Sequence, residues 1–266
     1  MLQILFSVII CLLMPTLAIA KPLWEAGVGL AGLHHPHYLG ADQEYTALLP
    51  IPYFVYRGER IKADQSGLRS LIYDSNRLDL RLSLGASLPV NSDDNDARKG
   101  MDDIDLIVEA GPTLQYTLFQ NDKHLLRADW PIRAAFTLGN QPFNHQGWTT
   151  TPQFYYQSYY NQWKVDASLG AVYSDRRHHG DTFNVDQDEV TATRSFYRAS
   201  SGYTGLRFSL GTRRRMGDFV WGANFRYYNL SDSVNSDSDL LRKEDYASLS
   251  FVIVWIFKES TDQAAQ

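Results

Sequence analysis

Cysteine is nearly absent. The chain holds one, Cys11, inside an N-terminal stretch that also lacks charge. Leu2 to Ala20 contains no Lys, Arg, Asp or Glu and is almost wholly apolar. It ends Ala18-Ile19-Ala20, and small residues at the third and first positions before a cut fit the narrow pockets of signal peptidase. Residues 1–20 are therefore expected to be a cleaved signal peptide and 21–266 the mature protein. A basic start is missing, and about 20 apolar residues could just span a bilayer as an uncleaved anchor. Pro15 and the small-residue end favour cleavage. Ile10, before Cys11, is too bulky for a lipoprotein signal, so no lipid anchor is expected. A mature chain without cysteine has no disulfide, no thiolate nucleophile and no Cys-based zinc site.

Long apolar runs are missing elsewhere. After residue 20 there is no stretch of ~18 apolar residues, which excludes a second helical membrane span. Basic excess is missing too: the net charge is −5, which gives no support for nucleic-acid binding. The mean hydropathy of −0.32 looks soluble, but a transmembrane barrel has the same average because half of every strand faces a polar lumen. Aromatics, by contrast, are abundant at 13%, with Tyr the commonest. Aromatic girdles at both membrane interfaces would use them.

The dominant pattern is a period of two. Successive strand side chains point to opposite faces. Leu78, Leu80, Leu82, Leu84, Ala86 and Leu88 alternate with Asp79, Arg81, Ser83, Gly85 and Ser87. Trp163, Val165, Ala167, Leu169, Ala171 and Tyr173 alternate with Lys164, Asp166, Ser168 and Gly170. The segments 206–211, 219–227 and 246–257 repeat the scheme. Weaker cases lie at 24–30, 104–118, 126–138 and 152–160. These runs approach the ~10 residues that a tilted membrane strand needs. A soluble sandwich would alternate in the same way with its apolar face inward. Strand length, aromatic ends and the asymmetry of the connections favour the membrane.

The connections alternate short and long. Arg57-Gly58-Glu59, Gln120 to Lys123, Asn161-Gln162 and Met216-Gly217-Asp218 are tight. The links near 89–103, 139–149, 174–200 and 231–244 are long and polar, and Asp93-Asp94-Asn95-Asp96 marks the first of them as Asp-rich. Periplasmic turns and surface loops differ in this way. About eleven strands can be counted, whereas bacterial barrels have an even number. Counting back from the last strand places the ambiguity between 34 and 76, where 60–75 is either two strands or one segment folded inside. The expected fold is all-β: an up-and-down antiparallel transmembrane barrel of about 12 strands, with about 10 as the alternative. Residues 258–266 form a polar tail. Pro112 and Pro131 fall inside strands, where each deletes a ladder hydrogen bond, so local bulges are expected there.

Further short motifs carry a resemblance. Gly27-Val28-Gly29 is followed by Pro36-His37-Tyr38-Leu39-Gly40-Ala41-Asp42 and by Leu49-Pro50-Ile51-Pro52. Ser200-Ser201-Gly202-Tyr203-Thr204-Gly205 comes late, followed by an Arg-rich turn, Trp221 and Tyr227 to Leu230. In order and spacing these motifs resemble the MipA/OmpV family of outer-membrane proteins. Ala41 stands where that family usually has Ser. The loop after the penultimate strand reads Ser236-Asp237-Ser238-Asp239-Leu240, and a polar tail follows Phe257. The resemblance implies a barrel in the Gram-negative outer membrane with no catalytic activity. It also implies a scaffold joining a murein hydrolase to a murein synthase, or else a surface antigen or adhesin. None of the matched motifs is a binding site.

Candidate chemistry is sparse. His34, His35 and His37 form one group and His178 and His179 another; they could hold a metal if their loops met, against the plainer reading of solvated loop residues. His124 and His145 have no inward serine two residues away, and Gly-x-Ser-x-Gly is absent, so no catalytic, cofactor or metal residue is assigned. Glu25, Asp79, Arg81, Glu109, Arg127, Asp129, Arg133, Lys164, Asp166, Arg207 and Arg226 are expected to face the lumen. Their mixed signs fit ion pairs filling a narrow interior better than a selectivity ring. The expectation is a non-enzymatic outer-membrane barrel that offers turns and loops to partners. A narrow channel for small polar solutes is the alternative, and a barrel lipid hydrolase a more distant one.

Overall fold

The computed structural model describes residues 21–58, 61–64, 67–75, 77–139 and 143–264. The expected signal peptide lies outside the described residues. Thirteen strands run in chain order: β1 Trp24–Pro36, β2 Glu44–Arg57, β3 Ile61–Asp64, β4 Gly67–Asp74, β5 Leu78–Ser87, β6 Ile107–Gln120, β7 His124–Thr137, β8 His145–Thr150, β9 Gln153–Tyr160, β10 Trp163–Ser174, β11 Gly202–Met216, β12 Phe219–Asn229 and β13 Asp245–Glu259. Among the described residues one α-helix, α1, spans Arg176–Phe183.

Each strand pairs antiparallel with its neighbours, and β13 pairs with β1, so the sheet closes on itself. β8 and β9 lie end to end between the same two strands. β8 meets Ile132 to Phe136 of β7 and β9 meets His124 to Asp129, while both also pair with β10. They share one place in the wall, broken at Thr151-Pro152, and the ring therefore has twelve strand positions. The ambiguous stretch 60–75 resolves as two strands, β3 and β4.

The two faces divide as the alternation requires. Leu30, Leu48, Leu84, Leu114, Leu169, Leu210, Leu249 and Phe251 are exposed on the outside. Trp130, Trp148, Trp221 and Trp255 join this band. An apolar outer belt around a closed ladder leaves no unpaired edge in hydrocarbon, which is the condition for crossing a bilayer with strands. Residues 21–24 and 260–264, at the two ends of the described chain, and the tight turns lie at one mouth, the periplasmic one. There the segment 260–264 runs along 21–24, joined by the Pro22–Gln263 bridge.

Several local expectations need correction. Pro112 and Pro131 produce no register shift: Ala110↔Ala134 and Thr113↔Pro131 keep the same offset, and the irregularity falls instead between Thr117 and Phe119. Pro112 lies exposed on the lipid face and Pro131 is buried on the lumen side, and in both places the neighbouring pairs hold the ladder in register. The link 139–149 is shorter than expected, because β8 starts at His145. His34 and His35 belong to β1 rather than to a loop, since β1 runs on to Pro36.

The long connections are not solvated loops. Tyr38 and Ala41 from the β1–β2 connection join Val90, Ile104, Phe183, Val185, Ala199 and Leu240 from three of the long ones in a separate apolar core. Two buried arginines stitch it together. Arg98 donates to the carbonyls of Thr182 at 2.9 Å and Asp102 at 3.0 Å. Arg194 donates to those of Glu189 at 2.7 Å and Ala97 at 2.8 Å. Asn235, fully buried, accepts from the Ser200 backbone at 2.9 Å. Connections this long are uncommon unless they carry structure of their own, and here they form an ordered cap over the extracellular mouth.

Candidate functional site

The inward charges sit where the alternation places them. Arg81, Glu109, Arg127, Asp129, Arg133, Lys164, Asp166, Arg207 and Arg226 line a lumen cavity of about 1080 Å³. Oppositely charged neighbours pair within it: Arg81 with Asp79 at 2.7 Å, Arg127 with Asp129 at 2.7 Å, and Arg133 with Glu109 at 3.5 Å. Arg127 also lies over the Tyr155 ring at 4.1 Å. In a low-dielectric interior a charge is costly without a partner, and for these three arginines the partner comes from the same strand or the next one.

Inward glycines make room for these side chains. Gly85 faces Glu109 and Gly211 faces Asp166 across the ladder. A Cβ at either would come within 2.9 Å of Glu109 Oε2 or 2.7 Å of Asp166 Oδ2. Gly170 lies between Arg207 on β11 and Gln153 on β9. The guanidinium passes over it to reach Gln153 Oε1 at 3.1 Å.

The periplasmic mouth is closed differently. Glu25, only 2% exposed, takes hydrogen bonds from Arg57 at 3.0 Å, Arg215 at 2.7 Å and the Tyr53 hydroxyl at 3.1 Å. Beside it, Tyr53, Val55, Val220, Val254 and Ile256 form a buried apolar cluster on the inner face of β2, β12 and β13. Sequence reasoning found Glu25 but missed its partners, because Arg57 and Arg215 sit next to turns. The apolar cluster was also missed, although a signal for it exists. From Phe251 to Phe257 both faces of β13 are apolar, so the inward side must also be covered.

The two histidine groups do approach one another. His35 and His37 line the same cavity as His178 and His179, under the cap. Among the described residues no group of three or more metal-ligating side chains is gathered. His34 points outward and bonds Glu44 at 2.9 Å and Thr46 at 3.0 Å. His179 is a structural pin. Its Nδ1–H donates to the Ser200 carbonyl at 2.7 Å, and its Nε2 accepts from the Thr204 hydroxyl at 2.8 Å. Burial lowers its pKa from the usual imidazole range. α1 itself is capped by Asp175, which accepts from the His178 backbone N–H at 2.9 Å.

The histidines considered for catalysis, His124 and His145, lie apart from each other on β7 and β8. His124 Nδ1 meets the Tyr156 hydroxyl at 2.8 Å. His145 packs against Phe136 and Trp148, and its Nε2 has no hydrogen-bond partner. Neither is bonded to a serine among the described residues.

Comparison with known proteins gives the following. Among solved structures, the chain is similar to a bacterial polysaccharide outer membrane secretin, with 8% identity and a TM-score of 0.43 over 88% of this chain and 99% of that one. It is also similar to the toluene transporter TodX of Pseudomonas putida, at 11% identity and a TM-score of 0.38 over 90% of each chain. A third is the CymD monoaromatic hydrocarbon channel, at 12% and 0.40, again over 90% of each. No curated protein matches the chain. The family described as MltA-interacting protein MipA matches residues 28–257.

Proposed function

The chain belongs to the MltA-interacting protein MipA family, and from that membership and the closed form of this outer-membrane barrel we propose that it is a non-enzymatic scaffold for murein-processing proteins. The carrying observation is the cap: long connections pack around their own core over the extracellular mouth. A barrel built for free passage does not need such a closure, whereas a barrel built to present surfaces is stiffened by it. The family's name records an interaction with MltA, and the resemblance drawn from the motifs connects that partner with murein hydrolysis. Contact with murein enzymes has to come from the periplasmic mouth, where the tight turns and the 260–264 segment lie. Residues 1–20 serve in this reading as the export signal, removed after Ala20, and 21–266 as the mature barrel.

The test is crosslinking in intact envelopes followed by affinity purification of the barrel. Recovery of a murein hydrolase, lost when the periplasmic turns are replaced and retained when the cap is altered, supports the scaffold. Recovery of no murein enzyme removes it.

A second reading has one observation behind it. The lumen cavity of about 1080 Å³ has a polar, charge-rich wall suited to a narrow path for small polar solutes. Stepwise conductance of the purified barrel in a planar bilayer would favour this path over a closed scaffold.

A further inference from the structure

Beneath the cap, a second cavity of about 310 Å³ separates α1 from the barrel wall. Its lining is chemically two-sided. From the cap come His37, Tyr38, His178 and Asp181. Each presents a buried polar atom without a hydrogen-bond partner: Nδ1 of His37 and of His178, the Tyr38 hydroxyl, and Oδ2 of Asp181. Buried polar atoms are nearly always paired, and a group of them around one space marks a place where a polar molecule completes the set.

The opposite side is cationic. Arg207 and Arg226 are diagonal neighbours on the inner face of β11 and β12, and both reach this cavity. Among the described residues Arg207 bonds the neutral Gln153 amide, at 3.1 Å, and no carboxylate. Arg226 has no ion-pair partner among the described residues. Arg133 and Glu109 also line the cavity but engage each other at 3.5 Å. Two guanidinium forks without a carboxylate are a ready receptor for one. Burial pushes the Asp181 carboxyl above its usual range, which suits a group that exchanges hydrogen bonds with hydroxyls rather than one that holds a cation.

We propose that this cavity binds a small hydroxylated carboxylate, the size of a single sugar acid, with its acid group on Arg207 and Arg226 and its hydroxyls on His37, Tyr38, His178 and Asp181. The volume matches one such molecule. The site does not depend on the scaffold reading, since no periplasmic surface takes part.

Full-length barrel, purified folded in detergent, is titrated calorimetrically with glucuronate as the probe and with glucose as its neutral counterpart. Saturable one-to-one binding of glucuronate is expected, with glucose about tenfold weaker or more, as the loss of a charge-assisted bond implies. Arg226→Gln should weaken glucuronate by about tenfold and leave glucose unchanged. Asp181→Ala, on the opposite wall, should weaken both sugars, which separates ligand contact from general damage to the floor. Folding of each variant is checked by its gel shift on boiling. Equal binding of the two sugars, no binding of glucuronate at millimolar concentration, or a folded Arg226→Gln barrel with unchanged affinity would each overturn the proposal.

Discussion

Glu25 and Arg215, 190 residues apart in sequence, meet at 2.7 Å at the periplasmic mouth, where Glu25 also receives Arg57. β1 and β11 are not neighbours in the wall, so this contact crosses the lumen side of the barrel and ties the first strand to the late ones. Glu25 is almost fully buried and carries both arginines. Its removal leaves two guanidiniums facing each other, with only the half-exposed Glu259 beside Arg215.

Glu25→Ala is expected to destabilise the barrel by about 3 kcal/mol, the cost of breaking a buried pair from one side. Glu259, which meets Arg215 from a half-exposed position at 2.9 Å, should give no measurable change when replaced by Ala, because an exposed pair is screened. Urea midpoints of the two variants in lipid vesicles check this. Equal midpoints would mean that the Glu25 cluster closes nothing.

The outward face gives a second prediction. Leu210 lies midway along β11 and is 44% exposed on the lipid side. Leu210→Arg is expected to cost about 2–4 kcal/mol, as charge at the bilayer midplane does. Ser209→Ala, one residue along and facing the lumen, should change stability little. If the two variants unfold alike in vesicles, the assignment of faces along β11 is wrong.

These contrasts show how much was legible beforehand. Alternation in 78–88 and 163–173 gave both faces of β5 and β10, since a period of two depends only on local geometry. The inward charges followed from the same parity. The cap was not legible. Its core draws single residues such as Tyr38, Val90, Phe183 and Leu240 from separate connections, and no periodicity links them. Asp93 and Asp94 are exposed, as the polarity of their run suggests, but they lie in a short 3-10 turn whose start is capped by the Asn91 side chain, and the Asp103 carboxylate accepts from the Ser92 backbone at 2.7 Å.

Gly170 gives a third prediction. A Cβ there would stand 2.6 Å from Gln153 Cβ and 2.8 Å from the Pro152 carbonyl, and backbone cannot yield as a side-chain tip can. Gly170→Ala is expected to destabilise by about 1–3 kcal/mol through overpacking and to displace Arg207 from Gln153. Gly85→Ala meets only the Glu109 carboxylate, which can swing away, and should cost less. Thermal unfolding of the two variants by the boiling gel shift ranks them. A reversed order would refute the account of glycine as room for charged side chains.

The cap is expected to loosen in acid through His179. Its imidazole is 2% exposed and is held neutral, because its Nε2 must accept the Thr204 hydroxyl and burial lowers its pKa. In an opened cap the ring titrates near ~6.5. Above that pH neither state binds the proton and the contribution is constant. As the pH falls below ~6.5 the opened state takes up a proton that the closed state refuses, so closure loses stability down to the lowered pKa of the buried ring. Backbone-amide protection in α1, corrected for intrinsic exchange, should therefore fall between neutral and mildly acidic pH, while protection in β11 holds. Asp181 titrates in the same helix with the opposite sign, since a raised carboxyl pKa favours the closed cap in acid. His179→Asn separates the two: this variant should lose the fall in protection and retain any slope that belongs to Asp181. If wild type and variant show the same pH dependence, His179 does not control the cap.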